Sequence, residues 1–90
     1  MKIEQTPIFR RSYKKLRENQ LPAVNDAIRQ IVADPNVGEP KKGDLAGVLV
    51  FKFRLNDQQM LLAYEHEEDV ILLLALGVHE NFYRELKKGK

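Results

Sequence analysis

The 90 residues carry 43% apolar and 31% charged side chains, a balance that supports a single hydrophobic core and excludes a disordered or fibrous chain. The absence of cysteine excludes disulfide scaffolds, thiolate metal sites and cysteine nucleophiles. The longest apolar run, Val70 to Leu76, falls far short of the roughly 20 residues a membrane span requires. The formal net charge is only +2, but six Lys or Arg stand against two Glu between Met1 and Glu18, while Glu65 to Asp69 is acidic. Such polarity suits an anionic partner on one side of the molecule, and a solvated charged helix would look the same.

In chain order, the apolar/polar alternation around Ile3 reads as a first strand. Thr6-Pro7 supplies a helix cap followed by a proline whose missing N–H costs nothing at the first helical position. Phe9, Tyr13 and Leu16 then share one helix face, with Arg10, Arg11, Lys14, Lys15 and Arg17 around the rest. After Asn19-Gln20 a second helix starts at Leu21-Pro22, carries Val24, Ala27, Ile28, Ile31 and Val32 on one stripe, and stops at Asp34-Pro35. Two amphipathic helices so closely linked are expected to form a hairpin on a common surface.

Asn36 to Asp44, with Gly38, Pro40, Gly43 and Lys41-Lys42, reads as a loop. Val48 to Leu55 alternates: Leu49, Phe51, Phe53 and Leu55 take one face of a strand, and Val50, Lys52 and Arg54 the other. Asn56-Asp57 turns the chain into a return strand, Gln58 to Glu65, and Glu67-Glu68-Asp69 turns it again. Val70 to Leu76 has the unbroken apolar character of a central strand covered on both faces, Gly77 ends it, and Asn81 to Lys88 reads as a short terminal helix. The order describes one α+β domain over 1–90. The opening Met-Lys-Ile-Glu-Gln lacks the apolar region of a signal peptide, so a cytoplasmic location is expected.

Lys52 and Arg54 project from one side of a strand roughly 7 Å apart, a spacing that matches neighbouring phosphates of a nucleic acid and equally serves an outward-facing solubility pair. His79, in Gly77-Val78-His79-Glu80, carries the side chain best suited to moving protons near neutrality, although a histidine beside a helix start is more often a cap or surface residue. His66, in the acidic turn, reads as a solvated loop residue. Phe82 and Tyr83 offer one ring to the core and one for base stacking, with core packing the ordinary fate of both. The two histidines have no acidic ligand at helical spacing, so no metal is expected, and no glycine-rich phosphate loop occurs.

Taken as a set, Lys42-Gly43-Asp44-Leu45-Ala46-Gly47, Phe51-Lys52-Phe53-Arg54-Leu55, Leu61-Leu62-Ala63-Tyr64 and Leu76-Gly77-Val78-His79-Glu80-Asn81-Phe82-Tyr83, after two helices, resemble the RelE/ParE superfamily of bacterial toxins. The similarity covers nearly the whole chain, and the order and spacing of the pieces carry it. The resemblance implies an N-terminal helical hairpin packed on a small twisted, mainly antiparallel sheet with a short C-terminal helix. It implies the toxin half of a type II toxin–antitoxin module of the plasmid-stabilising kind, without metal or other cofactor. RelE-like members cut messenger RNA in the ribosomal A site, whereas ParE-like members poison DNA gyrase.

By the same resemblance Lys52 and Arg54 stabilise charge during cleavage and His79 takes part in catalysis; Tyr83 completes the expected catalytic set as a ring that stacks on or positions a base. Lys52 and Arg54, with Lys41, Lys42 and Arg84, hold RNA, and a cognate antitoxin, the ribosome and mRNA are the partners. The His79 to Tyr83 segment is similar to the ending of the YafQ-like branch. Where the RelE-like branch carries an arginine this chain has Leu61, and where YafQ-like enzymes carry a histidine and an aspartate it has Leu55 and Gln59. An mRNA endonuclease is therefore the leading expectation, with a gyrase inhibitor or a catalytically weak module component as alternatives.

Overall fold

The computed structural model describes residues 1–78, 82, 83 and 86. Strand β1 (Lys2–Gln5) leads into helix α1 (Pro7–Lys14), and α2 (Leu21–Ala33) follows. Strands β2 (Glu39–Pro40), β3 (Leu49–Leu55), β4 (Gln58–Glu67) and β5 (Val70–Gly77) come next, with a 3₁₀ turn at Gly43–Leu45 between β2 and β3. The five strands form one sheet in the order β1-β5-β4-β3-β2. Only β1 with β5 is parallel; the other neighbours are antiparallel. Among the described residues the fold is thus mixed α+β, with α1 and α2 set against one five-stranded sheet.

The expected helix start at Thr6 holds, and the hydroxyl does two jobs. It accepts the Phe9 N–H at 3.1 Å, capping α1, and donates to the Leu74 carbonyl at 2.7 Å. That carbonyl belongs to a bulge. Tyr64 pairs with Leu73 and Ala63 with Ala75, so Leu74 is an extra residue on β5. As a result Leu73 and Leu76 face the helices while Leu74 and Ala75 both join the apolar cluster on the opposite side.

Helices α1 and α2 cover the first sheet face. Phe9, Val24, Ala27 and Ile31 pack there on Leu55, Met60, Leu62, Tyr64, Ile71 and Leu73, and the helices touch each other where the Tyr13 hydroxyl donates to Asn25 Oδ1 at 2.7 Å. The second face is not a bare cation-bearing surface, as a one-sided sheet would require. Leu45 and Val48 fold under it from the β2–β3 connection, and Phe82 and Leu86 close over Val50, Leu61, Ala63, Leu74 and Ala75. The terminal helix expected over Asn81–Lys88 lies mostly outside the described residues; the Phe82 N–H bonds the Val78 carbonyl at 3.0 Å.

Other expectations needed correction. The stretch Asn36–Asp44 is not wholly loop, since Glu39 and Pro40 pair with Val50 and Leu49. A two-residue strand has no periodicity to read, and Pro40 sits on an edge where a missing N–H is tolerated. Strand β4 runs on to Glu67, leaving Glu68 and Asp69 as the turn, with Glu68 at a left-handed φ of 42°. His66 consequently lies on β4 rather than in a loop, its Nε2 3.2 Å from the Glu68 carbonyl.

Behind β2, Tyr64 is fully buried and its hydroxyl is doubly used. It donates to the Pro35 carbonyl at 2.7 Å and accepts the Gly38 N–H at 2.9 Å. A Cβ on Gly38 would lie 2.8 Å from that hydroxyl, so only glycine lets the chain pass this close. This clasp fixes the end of α2 against the sheet and sets where β2 meets β3.

Candidate functional site

The alternation along β3 is what presents the basic residues. Phe51 and Phe53 turn toward the helix side, where they stack at 6.2 Å between centroids, and Lys52 and Arg54 turn to the other. Both cations are exposed. Across the ladder Lys52 stands opposite Leu61 and Arg54 opposite Gln59. Leu61 is buried beneath this surface, so the floor next to Lys52 is apolar.

The two cations differ in their surroundings. Arg54 Nη2 donates to the Asp57 carbonyl at 3.1 Å, which draws the guanidinium toward the β3–β4 turn. Lys52 Nζ lies 4.0 Å from a carboxylate oxygen of Glu39, one strand over on β2. The other oxygen of the same carboxylate takes Lys41 Nζ at 3.2 Å. Glu39 therefore sits between two lysines, and it is the one participant that reading the sequence missed. Its only sequence signal is the short Glu39-Pro40-Lys41 spacing inside a stretch read as loop.

Lys41 is the better packed lysine, with a side chain 21% exposed against 53% for Lys52. Its ammonium lies 5.8 Å from the centre of the Tyr83 ring, and Tyr83 meets Phe82 edge-on at 5.1 Å. The hydrogen bond to Glu39, opposed by partial burial and reinforced by the Tyr83 side chain, holds the Lys41 ammonium above its ordinary pKa. The cation is thus retained to high pH. Of the pair Phe82 and Tyr83, Phe82 is the buried ring and Tyr83 the half-exposed one.

The fold brings Lys41 and Lys52 together around Glu39, with Tyr83 beside Lys41 and Arg54 further along the same face as Lys52. Lys42 is exposed at the start of the 3₁₀ turn. His79 and Arg84 lie outside the described residues. A cleft of about 420 Å³ does occur, but between α1 and the end of the sheet, lined by Arg11, Lys15, Leu16, Gln58 and Gly77 among others, and neither Lys52 nor Arg54 reaches it. The β3 cations stand instead on open surface, which suits a polymer laid across a sheet better than a small molecule held in a pocket. No group of His, Asp or Glu among the described residues could hold a metal ion, and no described helix is long and apolar enough to cross a membrane.

Comparison with known structures finds the same fold. The chain is similar to one in the crystal structure of the intact E. coli RelBE toxin–antitoxin complex, with a TM-score of 0.72 and 14% identity over 88% of this chain and 96% of that one. It is likewise similar to a doubly arginine-to-alanine mutant of E. coli toxin RelE in the free state, with a TM-score of 0.74 and 15% identity over 97% and 94% of the two chains. Comparison with curated proteins finds no match. A family model describing the ParE-like toxin of type II bacterial toxin–antitoxin systems matches residues 3–87. With that match spanning nearly its whole length, the chain belongs to the ParE-like toxin family of type II toxin–antitoxin systems.

Proposed function

We propose that this toxin is a ribosome-dependent mRNA endonuclease, held inactive by a cognate antitoxin. The observation that carries the reading is the exposed Lys52 and Arg54 pair on an open sheet face, with Lys41 and the half-exposed Tyr83 ring at its border. The chemistry is attack of an RNA 2′-hydroxyl on the adjacent phosphate, which needs a base, cations for the charge that develops on phosphorus, and an acid for the leaving oxygen. Lys52 and Arg54 supply the cations. His79 moves the proton, Tyr83 positions a base by stacking, and Lys41, Lys42 and Arg84 hold the flanking phosphates. The fold shared with a toxin solved in complex with its antitoxin supports the partner.

One observation favours the alternative, a gyrase inhibitor needing no nuclease site: the surface beside Lys52 is the buried Leu61, a neutral floor where a further cation would serve cleavage. The two readings separate in a purified system. With mRNA-programmed ribosomes, the toxin is expected to generate new 5′ ends, and His79→Ala to reduce cleavage by about 10²-fold or more. Ribosomal mRNA left intact, together with inhibited supercoiling by purified gyrase, would overturn the nuclease in favour of the alternative.

A further inference from the structure

The outer edge of β1 belongs to neither reading. This strand ends the sheet, and among the described residues no strand lies beyond it. The opposite edge is closed down by a two-residue strand ending in proline, whereas β1 offers four residues without one. Two of the three large apolar side chains exposed among the described residues are here, Met1 at 57% and Ile3 at 42%. Flanking Ile3 on the strand are the charged Lys2 and Glu4, joined by a loose ion pair of 3.8 Å, and the neutral Gln5 ends it.

Hydrogen bonding fixes which groups face outward. Lys2 N–H donates to the carbonyl of Asp69, the residue just before β5, and Thr6 N–H to the carbonyl of Leu73 in β5, both on the inner side of the strand. Because alternate peptide groups point to opposite sides of a strand, Ile3 and Gln5 present their N–H and C=O groups to the free edge. An antiparallel strand added there with Ile3 opposite its own counterpart makes a doubly hydrogen-bonded pair on a two-fold axis. In that register Lys2 falls opposite Glu4 of the other copy, and Glu4 opposite Lys2. A shift of two residues either way sets Lys2 against Lys2 or Glu4 against Glu4, which like-charge repulsion disfavours. The strand is therefore complementary to itself in one register.

We infer that the chain self-associates through β1, joining two sheets edge to edge about a two-fold axis at Ile3. The occupant is a second copy because the pattern Lys2-Ile3-Glu4 is its own complement in charge and in hydrogen-bonding phase. So short a ladder buries less than a standard interface, so the dimer is weak, with a dissociation constant on the order of 0.1 mM, and loosened by salt.

Sedimentation of the full chain from about 10 µM to about 1 mM tests this, since the range brackets that constant. The weight-average mass is expected to rise from 10.4 kDa toward twice that value. Ile3→Pro removes an outward N–H that bonds nothing within the sheet, and is expected to keep the chain monomeric. Lys2→Glu and Glu4→Lys are each expected to abolish association alone, yet to form a mixed dimer when combined, visible as a new mass by native mass spectrometry. Misfolded chains could not regain pairing on mixing. A wild-type chain that stays monomeric throughout, dimers indifferent to Ile3→Pro, or charge-reversed chains that fail to combine would each overturn the inference.

Discussion

Glu39 lies between the two lysines that the proposed RNA interaction would employ, and its position makes it a competitor for them. Exposed ion pairs of this kind contribute little, so removing the carboxylate costs the fold almost nothing while freeing both ammonium groups for phosphate. Glu39→Gln should accordingly tighten binding of single-stranded RNA by about threefold at low salt, measured by fluorescence anisotropy. Substituting Lys52 and Arg54 together by alanine should weaken the same binding and make it less salt-dependent, lowering the slope of log K against log salt by about 0.7 for each phosphate no longer neutralised. Tyr64 is the residue-scale counterpart in the core. Its phenol joins Pro35 to Gly38, and Tyr64→Phe leaves a buried N–H without a partner, an expected loss of about 1–3 kcal/mol in denaturant unfolding. Burial, partly offset by the Gly38 N–H, raises the phenol above its ordinary pKa of 10.0. The folded state thus keeps a proton that the unfolded chain releases. The stabilisation is complete below pH 10 and is lost as pH rises beyond it, so the gap between wild type and Tyr64→Phe should shrink above pH 10.

At the scale of elements, Thr6 couples the start of α1 to the bulge in β5 through one hydroxyl. Thr6→Val keeps the shape but leaves the Phe9 N–H uncapped and the Leu74 carbonyl without its donor, an expected loss of about 2 kcal/mol, with Thr6→Ser recovering most of it. Half of this device is readable in the sequence: Thr6-Pro7 announces a helix start from local chemistry alone. The bulge is not, because Val70 to Leu76 is apolar at every position, and a strand without alternation carries no mark of where its facing switches. Strand β3 is the opposite case. Its strict alternation places Lys52 and Arg54 on the correct face, away from the helices. Strand β2 is invisible to periodicity because two residues cannot show a period and both lie among turn-forming neighbours. Glu39 is hidden with it, since nothing in a loop reading brings that carboxylate to a lysine thirteen positions further along the chain.

For the molecule as a whole, the distribution of cover explains where a partner has room. The helices occupy one sheet face, and Leu45, Val48, Phe82 and Leu86 close part of the other. Among the described residues, what remains open is the β3 side of that second face, where exposed Lys52 and Arg54 stand, together with the outer edge of β1. The α+β layout and the family are legible in the order of motifs, which local periodicity preserves. The convergence of Lys41, Lys52 and Tyr83 is not, because it depends on the path of the connection through β2. The most direct test of the central claim, that the β3 cations serve RNA cleavage, is 5′-end mapping of cellular mRNA shortly after induction without antitoxin. The wild-type chain is compared with a folded Lys52→Ala/Arg54→Ala variant. New ends inside coding regions that disappear in the variant are the predicted result; growth arrest with intact mRNA, or ends that persist without both cations, would contradict it.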